Sequence, residues 1–182
     1  MVGALIEGDP QARSELFRRY GAHVQKVLTH LVGYGETERA DLLHDVFIRA
    51  FERVGDLRNP RSLKHWLTRI AVLRSHEWFR LRKRSRQHEP IEYAVDRWTT
   101  SLEPRTREGI REFYALIGRF KDDERSVFIL RFVEGMSLQE VAEVCDLSFS
   151  TARRRILRAD TLFKRLLPQF PALLERMTES TK

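Results

Sequence analysis

The sequence predicts an all-α protein made of two small helical domains joined by a linker. Apolar residues recur every three or four positions in both halves of the 182-residue chain, which is the spacing of helices with one buried face. Between Gln87 and about Pro104 this spacing lapses, and two prolines interrupt a stretch of mixed polarity. In the C-terminal half, a short helix, a tight turn and a basic helix follow one another, as in a helix-turn-helix.

These patterns set the expected boundaries of the domains and their cores. We expect a first domain at residues 1–86, a linker at 87–106, a second domain at 107–170 and a C-terminal tail at 171–182. The pair Asp9-Pro10 predicts the start of the first long helix, because Asp caps helices and Pro is favoured at the first helical position. The predicted core positions of the first domain are Phe17, Tyr20, Val24, Val27, Leu31, Leu43, Val46, Phe47, Ala50, Phe51, Trp66, Leu67, Ile70 and Leu73.

Composition indicates the class of partner and the compartment. The formal net charge of +7 favours an anionic partner, either nucleic acid or a membrane surface. No apolar run is long enough to span a bilayer, and the N-terminus lacks a signal-peptide pattern. The single cysteine, Cys145, cannot form an intrachain disulfide, and we expect it to be a small buried core residue. We therefore expect a cytoplasmic protein without membrane insertion.

The sequence offers no motif for catalysis. Its six histidines show no metal-ligand spacing, and it has neither a glycine-rich phosphate loop nor a nucleophile elbow. Its carboxylates are scattered along predicted helix faces, so no general acid–base pair stands out. We therefore expect that the protein is not an enzyme and has no catalytic residue, metal, cofactor or small-molecule substrate.

The basic helix of the C-terminal half is the clearest candidate for DNA contact. Ser137 and Glu140 have the spacing of a capping box for the preceding helix, and Ser148 is a predicted cap for the basic helix. Arginine pairs with guanine edges or phosphates, and hydroxyls near a helix start reach backbone oxygens. The alternative is a solvated arginine-rich helix of an ordinary bundle. The candidate DNA-binding residues are Ser150, Thr151, Arg153, Arg154, Arg155 and Arg158.

A second candidate region begins at the loop from Gly55 to Ser62 and continues along the helix from Leu63 to Arg84. The loop is rich in groups that bond to bases or phosphates, and the helix has aromatic residues among its cations. Such a mixture suits single-stranded nucleic acid, because bases stack on rings while phosphates meet positive charge. The alternative is that the aromatic residues complete the core and the cations are solvated.

Three sequence blocks together resemble the sigma-70 family of bacterial RNA polymerase sigma factors. Region 2.2 of that family is similar to ADLLHDVFIRAF, from Ala40 to Phe51. Regions 2.3 and 2.4 are similar to SLKHWLTRIAVLRSHEWFRLRKR, from Ser62 to Arg84, and region 4 is similar to the stretch that begins DDERSVFILRF. The order of the blocks most resembles the small extracytoplasmic-function (group 4) type, which keeps only regions 2 and 4.

The resemblance implies three sets of binding residues. Region 2.2 docks on core RNA polymerase, which implies polymerase contacts by Asp41, His44, Asp45 and Arg49. Regions 2.3 and 2.4, with the preceding loop, melt and read the promoter −10 element as a single strand, which implies contacts by Arg58, Asn59, Arg61, Ser62, Lys64, Arg69, Arg74, Trp78 and Arg80. Region 4 binds the −35 element as duplex, which implies that role for the six residues of the basic helix.

The resemblance thus implies an alternative sigma factor that directs promoter-specific initiation and has an anti-sigma partner. Two other classes stay open: a plain helix-turn-helix regulator, and a sigma-like sequestration module that does not open promoters. The second is kept open by Val72-Leu73, where the family commonly has Arg-Asn. The chain also has Asp146 where the family usually has Gly in the turn, and His44 where Gln is usual.

Overall fold

Helices are the regular secondary structure of this chain in the computed structural model, which describes residues 1–33, 36–57, 59, 62–84 and 102–179. Within those ranges no residue lies in a β-strand, so the predicted all-α class is confirmed. The N-terminal bundle consists of α1 (Val2–Ile6), α2 (Pro10–Val32), α3 (Glu36–Arg53) and α4 (Leu63–Arg84). The C-terminal bundle consists of α5 (Pro104–Gly118), α6 (Asp122–Phe128), α7 (Leu138–Cys145), α8 (Phe149–Leu166) and α9 (Pro171–Glu179).

The N-terminal bundle is built on the long helix α2. This helix begins as predicted, because the Asp9 carboxylate accepts a hydrogen bond from the Gln11 amide at 2.8 Å and Pro10 takes the first helical position. It ends at Gly33, whose φ of 87° lies in the region that favours glycine. Helices α2, α3 and α4 pack on one another. The largest fully buried side chains between them are Leu16, Leu28, Leu31, Phe47, Leu63 and Leu67.

Two predicted core positions of this bundle are wrong. Phe17 is 45% exposed and Leu73 is 52% exposed, whereas their neighbours Leu16 and Val72 are buried. A helix turns by about 100° per residue. Shifting the predicted apolar stripe by one position therefore keeps its three- and four-residue spacing and moves it to a neighbouring face of the helix. Where two apolar residues are adjacent, the packing of the neighbouring helices decides which one is buried.

Helices α7 and α8 form the predicted helix-turn-helix. The Ser137 hydroxyl accepts a hydrogen bond from the Glu140 amide at 3.2 Å, and the Ser137 amide donates to the Glu140 carboxylate at 2.7 Å, which confirms the capping box. Asp146 ends α7 in the left-handed conformation with φ of 57°. The Ser148 hydroxyl then accepts from the Thr151 amide at 3.2 Å and caps α8 as predicted.

The end of α6 is wound more widely than an α-helix. The chain passes directly from Phe128 into a π-helical turn, Ile129–Val133, and the Glu134 amide donates to the Ile129 carbonyl at 2.9 Å. A π turn accommodates one more residue than an α turn and occurs as single turns within α-helices. Glu134, the next residue, contacts α2 of the other bundle.

The segment that the sequence analysis assigned to a C-terminal tail includes an ordered helix. Helix α9 packs on α5, with Leu173 buried between them. The Leu173 amide donates to the Glu112 carboxylate at 2.8 Å, and Arg176 donates to the Thr106 hydroxyl at 2.8 Å. Residues 171–179 are therefore part of the C-terminal bundle.

A buried guanidinium, that of Arg125 in α6, organises the C-terminal bundle. Its Nε donates to the Ile117 carbonyl at 3.1 Å, and its Nη2 donates to the carbonyls of Gly118 at 3.4 Å and Phe120 at 3.3 Å. These carbonyls lie at and just beyond the end of α5, where the last carbonyls of a helix lack the usual intrahelical donors; the Ile117 carbonyl also accepts from the Phe120 amide at 3.1 Å. The same guanidinium lies 4.2 Å from the ring centroid of Phe79 in α4. Arg125 thus joins two helices of one bundle to a helix of the other.

The two bundles pack against each other along α4 and the end of α2. Helix α4 contacts α6 and α7, and α2 contacts the π turn. His76 Nε2 lies 2.7 Å from Ser126 Oγ in this interface, and the Tyr114 hydroxyl donates to the Thr29 carbonyl at 3.3 Å. Burial lowers the pKa of His76, which favours the neutral ring at this contact.

In the part of the chain that the structure describes, no helix combines the length and apolarity needed to cross a membrane. The same residues hold no group of three or more His, Cys, Asp or Glu side chains placed to bind a metal ion.

Replacing the buried arginine tests its role in the C-terminal bundle. We expect Arg125→Met to lower the free energy of unfolding by on the order of 3 kcal/mol, because three carbonyls lose a charged donor. Arg111→Met on α5, whose guanidinium pairs with Glu108 at the surface, is the matched control and should change little. Urea denaturation followed by circular dichroism measures both. Equal denaturation midpoints for the two variants would contradict the role given to Arg125.

Candidate nucleic-acid interface

The start of α8 holds two of the predicted DNA-binding hydroxyls close together. Ser150 is exposed and Thr151 is half-buried. Both belong to the cap of the helix: Ser148 Oγ lies 3.2 Å from Ser150 Oγ and donates to Thr151 Oγ1 at 2.8 Å. The N-terminus of α8 therefore presents hydroxyls beside the backbone amides of its first turn, which is the arrangement that suits a phosphate oxygen.

Three of the four predicted arginines line one open groove along α8. Arg153, Arg154 and Arg158 are exposed and surround the side chains of Phe149 and Leu157, which are 53% and 55% exposed. The opposite face of α8 buries Ala152, Ile156, Ala159 and Phe163 in the bundle. The helix is thus amphipathic, with a basic and partly apolar face turned to solvent.

The fourth arginine, Arg155, differs from the others. Its Nη1 lies 3.1 Å from Asp123 Oδ2 at the start of α6, and its side chain is 32% exposed. The ion pair directs this guanidinium toward the bundle. Sequence reasoning missed the pairing, because the two residues are far apart in the chain and only the packing of α6 on α8 brings them together.

The predicted single-strand-binding residues of α4 lie in several different environments. Lys64 and Arg80 are exposed, whereas Arg69 pairs with Asp146 of the C-terminal bundle at 3.0 Å. Arg74 pairs with Asp45 of α3 and with Glu77. Arg69 and Arg74 are therefore engaged within the chain, and Arg80 Nη2 lies 3.8 Å from Glu77 Oε1.

The remaining predicted residues of that set lie near either end of α4. Trp78 is half-buried, and its ring packs edge-on against Phe79 with centroids 4.8 Å apart. The exposed Asn59 uses its carbonyl to accept from the Ser62 amide at 3.0 Å and from the Ser62 hydroxyl at 2.7 Å. Arg58 and Arg61 lie outside the described residues.

The predicted polymerase-binding residues share one face of α3. Asp41, His44 and Arg49 are exposed, and Asp45 is half-buried beside Arg74. Ile48, which the sequence analysis missed, is 50% exposed on the same face. Its spacing of three, four and seven residues from Asp45, His44 and Asp41 was the available signal. An apolar side chain among polar ones is the composition of a protein-binding surface.

Partial burial shifts the pKa values of the cysteine thiol and of two half-buried histidines. Burial raises the pKa of Cys145 to about 12, so the thiol is protonated at neutral pH. Cys145 is half-buried and packs against the core, rather than lying fully inside it as expected. Burial also lowers the pKa of His23, which lies 2.9 Å from the Thr68 hydroxyl. These groups are suited to packing rather than to nucleophilic chemistry.

Comparison with known proteins places both bundles in one family. Residues 16–86 match the family model described as Sigma-70 region 2, and residues 110–159 match Sigma-70, region 4. The chain is 28% identical over 170 residues to the ECF RNA polymerase sigma-E factor of Haemophilus influenzae, covering 87% of this chain and 89% of that one. It is 29% identical over 155 residues to the ECF RNA polymerase sigma factor SigX of Bacillus subtilis, covering 76% of this chain and 74% of the relative.

Solved structures share the fold. CnrH in complex with the cytosolic domain of CnrY has a TM-score of 0.65 at 22% identity, over 92% of this chain and 95% of that one. The sigma factor RpoE of Bartonella quintana, in complex with the anti-sigma factor NepR, has a TM-score of 0.61 at 19% identity, over 85% of this chain and 96% of that one.

A helix-turn-helix bundle preceded by a second bundle of the region 2 type defines a promoter-specificity subunit of RNA polymerase. The chain belongs to the sigma-70 family, as a member of its extracytoplasmic-function group. Its function is promoter-specific initiation of transcription, with core RNA polymerase and promoter DNA as partners.

Proposed function

We propose that the exposed basic face of α8 reads the −35 element as duplex DNA. The observation that carries this proposal is the exposure of Arg153, Arg154 and Arg158 directly behind the capped turn. An α-helix fits the major groove, where arginine recognises guanine and contacts phosphates. Ser150 and Thr151 are suited to the DNA backbone at the start of the helix. Arg155 acts through Asp123 and positions α8 on α6.

We propose in addition that α4 and its preceding loop hold the single strand of the −10 element. Lys64 and Arg80 supply exposed cations, and the half-buried Trp78 supplies a ring edge. Leu73 adds an apolar side chain to this surface, since it is 52% exposed where the family commonly has a polar residue. An apolar contact at that position alters which bases are preferred without removing the electrostatic attraction to the strand.

The face of α3 around Asp45 is the proposed docking surface for core polymerase. It combines the carboxylates of Asp41 and Asp45 with the cation of Arg49 and the apolar side chain of Ile48. Because the proposed polymerase and −10 surfaces meet at the Asp45–Arg74 pair, polymerase docking and the position of α4 are mechanically connected. The polymerase supplies the bond-making chemistry, so we assign no enzymatic activity to this chain.

An anti-sigma protein is a further proposed partner. Two relatives in fold have been solved in complexes, one with the cytosolic domain of CnrY and one with the anti-sigma factor NepR. The groove along α8 contains both exposed apolar residues and arginines, and this composition suits an acidic amphipathic helix. We place the protein in the cytoplasm, where core polymerase and promoters are found.

Transcription in vitro tests the proposed function. Purified core polymerase should produce new transcripts from sheared DNA of the source organism when this protein is added, and the transcripts should share upstream elements. Binding to polymerase without transcripts would favour the sequestration module. Duplex binding without polymerase association would favour a plain helix-turn-helix regulator.

Reversing the exposed charge of Asp41 on α3 tests polymerase docking without disturbing the fold. We expect Asp41→Arg to weaken association with core polymerase on the order of tenfold, since like charges at a docking surface reduce affinity. Asp41 is preferable to Asp45 because replacing Asp45 also breaks its pair with Arg74. The control is Glu7→Arg, which makes the same charge change at the exposed end of α1. Surface plasmon resonance on immobilised core polymerase measures both, and equal affinities would contradict the docking surface.

Substitutions of the arginines of α8 should have two different effects, one on DNA affinity and one on stability. In the holoenzyme, we expect Arg153→Ala to weaken binding to a promoter fragment on the order of tenfold. Arg155→Ala should instead lower the stability of the chain with a smaller effect on DNA affinity. Fluorescence anisotropy gives the DNA affinities, and thermal denaturation gives the stabilities. A larger loss of DNA affinity for Arg155→Ala than for Arg153→Ala would overturn the assignment.

A further inference from the structure

Two large apolar side chains of α8, those of Phe149 and Leu157, are turned to solvent. They are 53% and 55% exposed, while the core positions of the same helix are taken by residues of the opposite face such as Ala152 and Ile156. Phe149 is the first residue of the helix, and the cap before it is made by the Ser148 hydroxyl. Neither the core nor the cap of α8 therefore accounts for these two side chains.

Phe149 and Leu157 lie on one stripe of α8, with Arg153 between them. The three residues are four positions apart, and side chains with this spacing follow one another along the same face of a helix. All three line the open groove along α8. Eight residues span about 12 Å of helix, whereas neighbouring bases of one strand are about 3.4 Å apart. The two apolar side chains therefore reach different base pairs when the helix lies in the major groove.

A parallel stripe of the same helix is basic. Arg154, Arg158 and Arg165 are exposed and line the same groove, and residues four and seven positions apart share a helix face. These cations suit the phosphates that border a major groove, which leaves the apolar stripe to face the base edges. Glu124 of α6 also lines the groove, and its carboxylate repels a phosphate but not a base edge.

We propose that Phe149 and Leu157 recognise the 5-methyl groups of thymines in the −35 element. Thymine is the base that presents a methyl group in the major groove, and an apolar side chain distinguishes it by contact. Because Arg153 lies between the two apolar side chains, the preferred element has A·T pairs on both sides of the base pair that Arg153 contacts. This inference names the bases that the helix reads, and it rests on the proposed contact of α8 with the −35 duplex.

The two stripes contribute differently to binding. Removing one methyl-sized apolar group from water changes an affinity on the order of fourfold, and this gain is available only where a thymine is present. The attraction of arginines to phosphates is the same for every sequence. The apolar stripe therefore adds discrimination between sequences to an affinity that the basic stripe supplies.

Deoxyuridine tests the proposal, because it pairs with adenine as thymidine does and lacks only the 5-methyl group. The holoenzyme is bound to promoter fragments in which each thymine of the −35 element, on either strand, is replaced in turn, and fluorescence anisotropy gives the affinities. We expect the wild-type protein to lose affinity on the order of fourfold at each of two thymines. Phe149→Ala should bind the unmodified fragment more weakly and become insensitive at one of these thymines, and Leu157→Ala at the other.

The control variant is Leu174→Ala in α9, which truncates a leucine that is 38% exposed and lies outside the groove. It should keep the wild-type response to both thymines. Alanine favours helices, so both apolar variants should fold, and thermal denaturation checks this. Each protein is compared on fragments that differ by one methyl group, so a variant that binds polymerase less well changes both affinities equally.

The variant Arg153→Ala separates a failure of this inference from a failure of the proposed function. If Arg153→Ala weakens binding and no uracil substitution does, methyl recognition is overturned and the contact of α8 with the −35 duplex stands. Methyl recognition by Phe149 and Leu157 is also overturned if the uracil fragments weaken binding equally for the wild type and for both apolar variants. If neither Arg153→Ala nor uracil changes the affinity, the assignment of α8 to the −35 element is itself overturned.

Discussion

The buried guanidinium of Arg125 is the contact on which the arrangement of helices most depends. It supplies donors to three carbonyls at the end of α5 and lies over a ring of α4. An arginine is suited to this place because its planar, permanently charged group has five donors in fixed directions. Helix α6, which contains Arg125, also packs on α8 through the stacked rings of Phe128 and Phe163, whose centroids are 4.8 Å apart. Through α6, Arg125 therefore connects the position of α8 to that of α4.

Local features of the fold could be predicted from the sequence, and long-range ones could not. The caps at Ser137 and Ser148 were predictable because each involves residues at most three positions apart. The burial of Leu16 instead of Phe17 was not, since it depends on how α3 and α4 approach α2. The role of Arg125 was missed because a polar stretch at a helix start is ordinarily solvated. The family resemblance supplied the functional assignments, while the individual contacts with DNA and polymerase stay predictions.

Arginines that look alike in the sequence have three different functions in the structure. Arg125 is buried and satisfies carbonyls, Arg155 forms an ion pair within its bundle, and Arg153 is exposed. A basic helix is therefore not uniformly a DNA-binding surface. The same holds for the chain as a whole, because its net charge of +7 is the sum of basic faces and of carboxylates that cover part of them.

The π turn at Ile129–Val133 has a consequence for how relatives of this chain should be aligned. A residue added to an α-helix without a π turn rotates everything after it by about 100°, whereas a π turn absorbs the residue locally. A homologue one residue shorter at this point would continue as a regular α-helix, and a different side chain would then face His30 and Lys26 of α2. The same interface in other members of the family is thus recognised by the length of this helix, rather than by the identity of the residue aligned with Glu134.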